Sequence, residues 1–304
     1  MKAASAATRR ELSHGRWHFQ HGPIDCIVAA DGDAAAVAAC VERAWARFAT
    51  VLDELVGELP LLRADLSMAS GTSYAPRGPV ARRMVAACWP HAASGRFITA
   101  MAAVAGSVAE ELLGAFADER VGRASINNGG DIALRLLPGT SYDVGLCADP
   151  ERGRADPLLD GRFTVDAASP VRGIATSGWR GRSFSFGIAD SVTVLAASAS
   201  AADAAATIVA NAVDVADARI VRAPASAVKD DSDLGDRLVT RHVPSLPERL
   251  IDAALERGAA EARAQIGAGR IIAAVLSLQG RWRVVGDVRA VLPAPQRAIA
   301  LTAC

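Results

Sequence analysis

Lysine is almost absent from this chain of 304 residues, because Lys2 and Lys229 are its only lysines. Chemistry that depends on a lysine, such as Schiff-base formation or phosphate binding by a Walker loop, has only these two residues to draw on. Neither of them lies in a fitting sequence context, so the composition disfavours these classes of enzyme.

An excess of charge and a long apolar run are also lacking. The 33 basic residues balance 33 acidic ones, which argues against a nucleic-acid binder and against a basic membrane-surface protein. No segment reaches the roughly 18 uninterrupted apolar residues that a membrane span needs, and the N-terminus has no apolar stretch of signal-peptide length. We therefore expect a cytoplasmic protein with neither nucleic acid nor membrane as a partner, while its oligomeric state stays open.

Cysteine motifs are missing as well. No CxxC pair occurs, and no spacing of histidine and cysteine suggests a zinc site. The scattered cysteines are Cys26, Cys40, Cys88, Cys147 and Cys304. An odd, unpatterned set of this kind is typical of reduced thiols that serve as small core residues in the cytoplasm.

What the chain does have is enough apolar matter for a sizeable core, with 51% hydrophobic and 22% charged residues. Asp33 predicts the start of a helix that continues to about Gly57 on a single apolar stripe. Further helices and alternating strands follow, without regular βα alternation. The pattern predicts an α+β fold rather than a doubly wound parallel sheet.

The first candidate site is the stretch Asn127-Asn128-Gly129-Gly130-Asp131, which follows a predicted strand. Two glycines let a ligand approach the backbone, and the amides and the carboxylate can form hydrogen bonds with it. The alternative is a type I′ hairpin turn, in which glycine and asparagine are favoured.

The second candidate is the stretch Gly173-Ile174-Ala175-Thr176-Ser177-Gly178, which continues into Gly181-Arg182-Ser183. Small residues with hydroxyl groups after a strand can form a cradle of backbone amides for a phosphate group. The stretch matches neither the dinucleotide-binding nor the Walker fingerprint.

The third candidate is the polar stripe Asp203, Thr207 and Asn211, which four-residue spacing places on one helical face. Oxygen ligands of this kind suit Mg²⁺, which takes few protein ligands and keeps waters. The alternative is structural: Asp203 near the N-cap of its helix, with Thr207 bonded to a helix carbonyl. An acidic segment over 226–237 reads as a solvated surface loop.

Taken in order, these stretches resemble the ApbE superfamily of flavin transferases, which attach FMN to protein threonines. The resemblance begins with the Ala/Gly-rich helix Met101 to Glu110 and includes the stretches at 127–132, 175–178, 191–194 and 202–207. The sequence is similar in particular to the uncharacterised protein family 280, in Pro79 to Met84, Phe97-Ile98-Thr99, Asn127 to Ala133, Ser183 to Gly187 and Ser232 to Asp236.

The resemblance implies an ApbE-like, T-fold-related α+β architecture with two lobes and a flavin, FAD or FMN, in the cleft between them. It implies one unit over residues 1–304, with 97–213 as the cleft-forming centre and 246–285 as a C-terminal helix and hairpin. Mg²⁺ would be held by the carbonyl of Ala175 and the side chains of Asp203 and Thr207. The residues expected to contact the cofactor are Asn127, Asn128, Gly129, Gly130, Asp131, Thr176, Ser177 and Gly178.

Two motifs of the transferases are not present. Ala105-Gly106 stands where they carry Lys-Gly, and the segment Arg182 to Gly187 replaces their His-Ile-Ile-Asp-Pro stretch. Two classes of function therefore stay open, and no catalytic residue is assigned. One is a Mg²⁺-dependent protein that binds a flavin or another phosphate-bearing small molecule and transfers a nucleotidyl or phosphoryl group. The other is a binding or accessory protein of a cofactor-dependent pathway.

Overall fold

The structure is a computed structural model that describes residues 6–68, 74–146 and 161–287. Cys147 and Cys304, two of the scattered cysteines, lie outside these residues. The strands are β1 (Thr8–Leu12), β2 (Arg16–His21), β3 (Ile24–Gly32), β4 (Val121–Asn128), β5 (Asp131–Leu136), β6 (Ser141–Leu146), β7 (Gly161–Asp166), β8 (Gly173–Ser177), β9 (Ser191–Ala196), β10 (Val221–Pro224), β11 (Leu238–His242), β12 (Ala273–Leu278) and β13 (Arg281–Gly286). The helices are α1 (Ala34–Gly57), α2 (Leu59–Leu62), α3 (Pro79–Ala92), α4 (Val104–Leu113), α5 (Ala199–Ala212), α6 (Ala225–Val228) and α7 (Glu248–Gly267).

A large antiparallel sheet forms the frame of the molecule. Its strand order is β1-β2-β3-β4-β5-β8-β9-β12-β13, and each neighbouring pair is antiparallel. The pair β6 and β7 and the pair β10 and β11 form two smaller antiparallel units. Helices pack on this sheet without βαβ units, so the predicted α+β class is confirmed.

The long helix α1 begins as its sequence predicts. The side chain of Asp33 accepts a hydrogen bond of 2.9 Å from the backbone N–H of Ala36, which satisfies one of the unpaired donors of the first turn. The buried face includes Cys40, Phe48 and Leu55. This face joins α3, α4 and strands β2 to β4 in one hydrophobic cluster, so the apolar stripe of α1 closes the core at that end of the sheet.

The alanine-rich helix α5 lies at the centre of the fold. It contacts α3, α4 and α7 as well as β8 and β9, and its buried residues belong to two of the three hydrophobic clusters. Such close packing requires small side chains. At Gly106 of α4, a β-carbon would overlap the backbone carbonyl of Ala199 and lie 3.0 Å from the Cβ of Asp203. Gly106 therefore lets α4 approach the first turn of α5.

A third hydrophobic cluster involves the small sheet of β6 and β7. Leu146 and Phe163 pack with Leu134, Ile174 and Val275 of the large sheet. Among the described residues, no helix is long and apolar enough to cross a lipid bilayer.

A buried polar network connects α3 with α7. His91 is 2% exposed, and its Nδ1 lies 3.4 Å from the amide nitrogen of Gln265, which donates to Glu261 at 2.7 Å. Arg96 forms an ion pair with Glu261, and Arg270 donates to Gln265. Burial, together with the positive charges of Arg270 and Arg96, lowers the pKa of His91 to about 4, although Glu261 opposes the shift. His91 is therefore a neutral core residue at pH 7.

This network predicts a loss of stability in acid that depends on His91. An unfolded histidine takes up a proton below its reference pKa of 6.5, whereas folded His91 stays neutral down to about 4. The unfolded state thus binds more protons in this window, so stability falls as the pH falls. Relative to His91→Gln, the wild type is expected to lose about 1.4 kcal/mol per pH unit, or about 3 kcal/mol in all. Urea unfolding of both proteins across the window measures this difference, and parallel curves would contradict it.

Candidate functional site

The stretch Asn127 to Asp131 forms a tight hairpin turn between β4 and β5. Asn128 pairs with Asp131, so Gly129 and Gly130 alone make the loop, and their φ angles are 67° and 110°. Positive φ at both central residues is what a type I′ turn requires. The Oδ1 of Asn127 accepts a hydrogen bond of 2.8 Å from the N–H of Gly130, and this bond stabilises the turn. The turn interpretation of this stretch is confirmed.

The side chain of Asn128 ties three elements together. It is 4% exposed, its Nδ2 donates to the carbonyl of Ala105 at 3.1 Å, and its Oδ1 accepts from the N–H of Asp25 at 3.4 Å. Both ends of this amide are thus used within the protein. This favours a structural role for Asn128, which fixes the turn relative to β3 and to the start of α4.

Asp203 points from α5 to the N-terminus of α4. Its Oδ2 accepts a hydrogen bond of 2.9 Å from the N–H of Gly106, and the N–H of Ala105 also stabilises the carboxylate. The N-cap residue of α4 is Ala103, whose side chain provides no acceptor, so Asp203 satisfies first-turn donors in its place. The alternative that Asp203 caps its own helix is wrong, because Ser198 is the N-cap of α5 and accepts from Ala201.

The carboxyl groups of Asp131 and Asp203 are close enough to interact electrostatically. Burial is the main cause that raises the pKa of Asp203 well above its usual value, and the negative charge of Asp131 raises it further. Burial also raises the pKa of Asp131 to about 7, against the opposing effects of the Thr176 N–H and of Arg182. Both residues are half-buried, and we refer to Asp203, Asp131 and the strand end at Thr176 together as the recess. Such a pair loses its protons in two steps.

The strand end at Thr176 forms one wall of this recess. The backbone N–H of Thr176 donates to Oδ1 of Asp131 at 3.2 Å, and its hydroxyl lies 2.9 Å from the hydroxyl of Thr193. Backbone groups of successive residues in a strand point alternately to its two neighbours. The carbonyl of Ala175 therefore points toward β9, where Ala175 pairs with Val194. It offers a ligand only its second lone pair.

Arg182, which the sequence placed in the continuation of the second candidate stretch, lies beside Gly129 of the turn, a position that the sequence did not predict. Its guanidinium covers Gly129: a β-carbon at that position would lie 3.1 Å from the guanidinium carbon. Its positive charge acts on Asp131, and the residue is exposed. Within the described ranges, the Arg182 side chain forms no hydrogen bond or ion pair. Its donors are therefore available to a ligand.

The polar stripe of α5 continues from Asp203 through the half-buried Thr207 to Asn211. The Oδ1 of Asn211 accepts hydrogen bonds from the hydroxyl of Ser185 at 3.1 Å and from the N–H of Phe186 at 2.9 Å. Asn211 thus holds the segment that follows Arg182 and is committed to the protein. Asp203 and Thr207 remain as the members of the stripe that are able to bind a cation.

The acidic segment 226–237 begins within α6 and is fastened to the rest of the chain. Asp233 accepts a hydrogen bond of 2.6 Å from the hydroxyl of Thr99, so Thr99, at an N-cap position, does not use this hydroxyl to cap the following turn. Arg63 pairs with Asp231 at 3.1 Å. The guanidinium of Arg237 lies 3.5 Å from the ring centroid of Phe97. These carboxylates are used in contacts within the chain.

Two surface cavities lie elsewhere on the molecule, with volumes of about 330 and 580 Å³. The smaller is lined in part by Arg135 and Arg172, whose guanidinium groups already donate to backbone carbonyls. The larger borders Pro138 to Ser141 and Asp166 to Ala168. Because the paired carboxylates and an exposed guanidinium lie at the Asp131 recess, we assign the candidate site to the recess.

The donor set of the recess suits a hard cation better than a soft one. In the part of the chain that the structure describes, no group of three or more His, Cys, Asp or Glu side chains is arranged to hold a metal. The recess offers the carboxylates of Asp203 and Asp131, and the half-buried Thr207 lies one helical turn after Asp203. Mg²⁺ binds through one or two carboxylates and keeps several waters, so this set fits it.

The chain is similar to a family of bacterial proteins and to several individual proteins. The sequence model of a family described as AbpE bacteria matches residues 8–284. A UPF0280 protein of Methanospirillum hungatei is 32% identical over 206 residues, which cover 66% of this chain and 77% of that protein. A UPF0280 protein of Methanococcoides burtonii is 34% identical over 165 residues, which cover 54% of this chain and 64% of the relative. Among solved structures, the apo form of Pseudomonas stutzeri flavinyl transferase ApbE covers 93% of this chain and 96% of its own, with 13% identity and a TM-score of 0.38.

Proposed function

The chain belongs to the AbpE bacteria family, in the branch of the UPF0280 proteins, and from this premise we propose that it binds a phosphate-bearing small molecule together with Mg²⁺. The proposed ligand is a flavin nucleotide, FAD or FMN, and the proposed activity is transfer of its nucleotidyl or phosphoryl group in the cytoplasm. The observation that supports the proposal most directly is the group of two interacting carboxyl groups, Asp203 held by the N–H of Gly106 and Asp131 held by the N–H of Thr176, with the guanidinium of Arg182 beside Gly129.

Different residues would orient and bind the cation in the proposed site. The N–H groups of Ala105 and Gly106 orient the Asp203 carboxylate, as hydrogen bonds commonly do for carboxylate ligands of metals. Asp203, Thr207 and the carbonyl of Ala175 are the proposed ligands. When bound, Mg²⁺ would neutralise charge on the transferred group and on the leaving phosphate.

The cofactor is proposed to lie along the two strand ends that border the recess. The Thr176 N–H holds Asp131 in place, and Gly130 leaves room above the backbone, because a β-carbon there would meet no atom within 4 Å. Ser177 and Gly178 continue the second strand end, where Ser177 is half-buried. Asn127 and Asn128 shape this surface from behind, because their side chains form hydrogen bonds within the protein.

A binding or accessory protein is the second candidate, and one contact favours it. Ala105 stands where the similar transferases carry a lysine, and its N–H is directed to the Asp203 carboxylate. Ala105 thus brings no charged side chain to the ligand. Binding without transfer would follow if that charge is required for transfer.

The test is Mg²⁺-dependent binding of FAD, followed by a transfer assay. The wild type is expected to quench FAD fluorescence in the presence of Mg²⁺ and to release FAD when EDTA is added, because the cation supplies the positive charge that attracts the diphosphate. Incubation with FAD, Mg²⁺ and a threonine-bearing acceptor peptide then distinguishes the two candidates. Flavin that remains on the peptide after denaturation supports transfer, and binding alone supports the accessory role. No Mg²⁺-dependent binding of FAD, FMN or pyrophosphate would refute the proposal.

A further inference from the structure

We propose that Arg182 is the residue that recognises the phosphate group of the metal-bound ligand. This inference rests on the proposed function of the recess and adds the residue that selects the ligand there. It is carried by the position of the guanidinium over Gly129, by its exposure and by the unused hydrogen-bond donors on it.

The surroundings of Arg182 explain why an arginine is held there. An arginine side chain loses rotamer entropy when it is ordered, so a fixed arginine normally has a partner. Here the guanidinium lies against the backbone of Gly129, a contact that any side chain at residue 129 would block. The negative charge of Asp131 lies close enough to interact with it. The guanidinium thus lies beside Gly129 and near Asp131, and its edge stays open to solvent.

The charges of the recess decide which ligand this arrangement fits. A bound Mg²⁺ favours the ionised form of both carboxyl groups. The charges of Asp131, Asp203, Arg182 and the cation then sum to one positive charge, which attracts a phosphate. Replacing Arg182 by a neutral residue would leave the metal-bound recess with no net charge. The recess therefore attracts an anion only when both the cation and Arg182 are present.

The chemistry of the guanidinium points to phosphate among possible anions. Its planar set of donors matches two oxygens of a phosphate group, and such paired hydrogen bonds are stronger than neutral ones. Asp131 interacts electrostatically with both Asp203 and Arg182, so the proposed metal ligand and the guanidinium share a neighbouring carboxylate. A diphosphate offers one phosphate to the cation and the other to Arg182.

The experiment uses inorganic pyrophosphate as the probe and calorimetric titration as the measurement. In the presence of Mg²⁺, Arg182→Gln is expected to raise the Kd for pyrophosphate at least about tenfold, since hydrogen bonds to charged groups contribute that much or more. Arg182→Lys keeps the charge but loses the paired geometry, so its Kd is expected to lie between the two. Arg10→Gln, which removes the same charge from the exposed strand β1, is the matched control and should bind as the wild type does.

A titration with Mg²⁺ alone separates recognition of the ligand from a structural role. Because Arg182 repels a cation, Arg182→Gln should bind Mg²⁺ as tightly as the wild type or more tightly, while it binds pyrophosphate more weakly. Equal weakening of both would show that Arg182 only maintains the recess and would overturn the inference. Unchanged pyrophosphate binding by Arg182→Gln would overturn it too, yet leave the proposed function intact. If the wild type bound neither pyrophosphate nor FAD with Mg²⁺, both the inference about Arg182 and the proposed function would be contradicted.

Discussion

Asp203→Asn is expected to abolish Mg²⁺-dependent binding of FAD or pyrophosphate while the protein remains folded. A neutral amide is a poor ligand for a hard cation that prefers carboxylate oxygen, so we expect the Kd for the metal-bound ligand to rise about 100-fold or more. The amide oxygen of asparagine is still able to accept the hydrogen bond from the Gly106 N–H, which measures 2.9 Å to Asp203. The substitution thus separates the charge of Asp203 from its contact with the N-terminus of α4.

Asp203→Ala is the companion that tests the contact with α4. It removes the acceptor for the first-turn N–H groups of Ala105 and Gly106, and Ala103 provides none. Loss of a cap of this kind costs about 1 to 2 kcal/mol. Asp203→Ala should therefore unfold at lower urea concentration than Asp203→Asn, although neither binds the ligand.

Thr207→Val completes the series, because valine has nearly the shape of threonine without the hydroxyl group. As one neutral oxygen among the proposed ligands, Thr207 should matter less than the carboxylate, and we expect roughly a tenfold weaker ligand affinity with Mg²⁺.

If Asp203→Asn bound ligand as the wild type does, the role of Asp203 would be confined to capping α4, and the metal site would have to be abandoned.

The local features of this fold could be predicted from the sequence. The Asp33 cap and the apolar stripe predicted α1 correctly, because both depend on residues within a few positions of each other. The two glycines after Asn128 predicted the turn for the same reason.

The long-range contacts of the site were not readable in the same way. Spacing placed Asp203 and Thr207 on one face of a helix, but it could not predict which other elements this face contacts. The meeting of Asp203 with the Gly106 N–H joins residues 97 positions apart. The position of Arg182 over Gly129 likewise depends on how β8 and β9 bring the intervening loop back to the β4–β5 turn. The available signals were the continuation of the second candidate stretch into Gly181-Arg182-Ser183 and the departure of this loop from the transferase motif.

Asp131→Asn is expected to stabilise the protein without Mg²⁺, and increasingly so as the pH rises. The pKa of Asp131 is about 7 in the folded protein against a reference of 3.8. Between these values the folded state keeps a proton that the unfolded state has lost, so the wild type loses stability as the pH rises through this window. The difference of about 3 pH units corresponds to about 4 kcal/mol. Partial solvent contact lowers the expected gain for Asp131→Asn above pH 7 to roughly 2 to 4 kcal/mol.

This dependence on pH runs opposite to that of His91, which destabilises the wild type toward acid in an overlapping window. The two slopes partly cancel in the wild-type curve, so each must be read as a difference between wild type and variant. Asp53→Asn removes a carboxylate from the exposed surface of α1 and is the matched control. Its curve should run parallel to that of the wild type, and a parallel curve for Asp131→Asn would contradict the burial of Asp131 beside Asp203.

The same measurement of stability against pH, made at saturating Mg²⁺, tests the proposed metal site. A cation at Asp203 favours the ionised form of both carboxyl groups and binds the folded state alone, so it stabilises the wild type by mass action. The stability advantage of Asp131→Asn above pH 7 should then shrink, because the repulsion that the substitution relieves is already offset by the metal. Asp203→Asn, measured in parallel, should show no stabilisation by Mg²⁺. Equal stabilisation of all three proteins by Mg²⁺ would mean that the cation binds elsewhere and that the carboxyl pair of the recess serves another purpose.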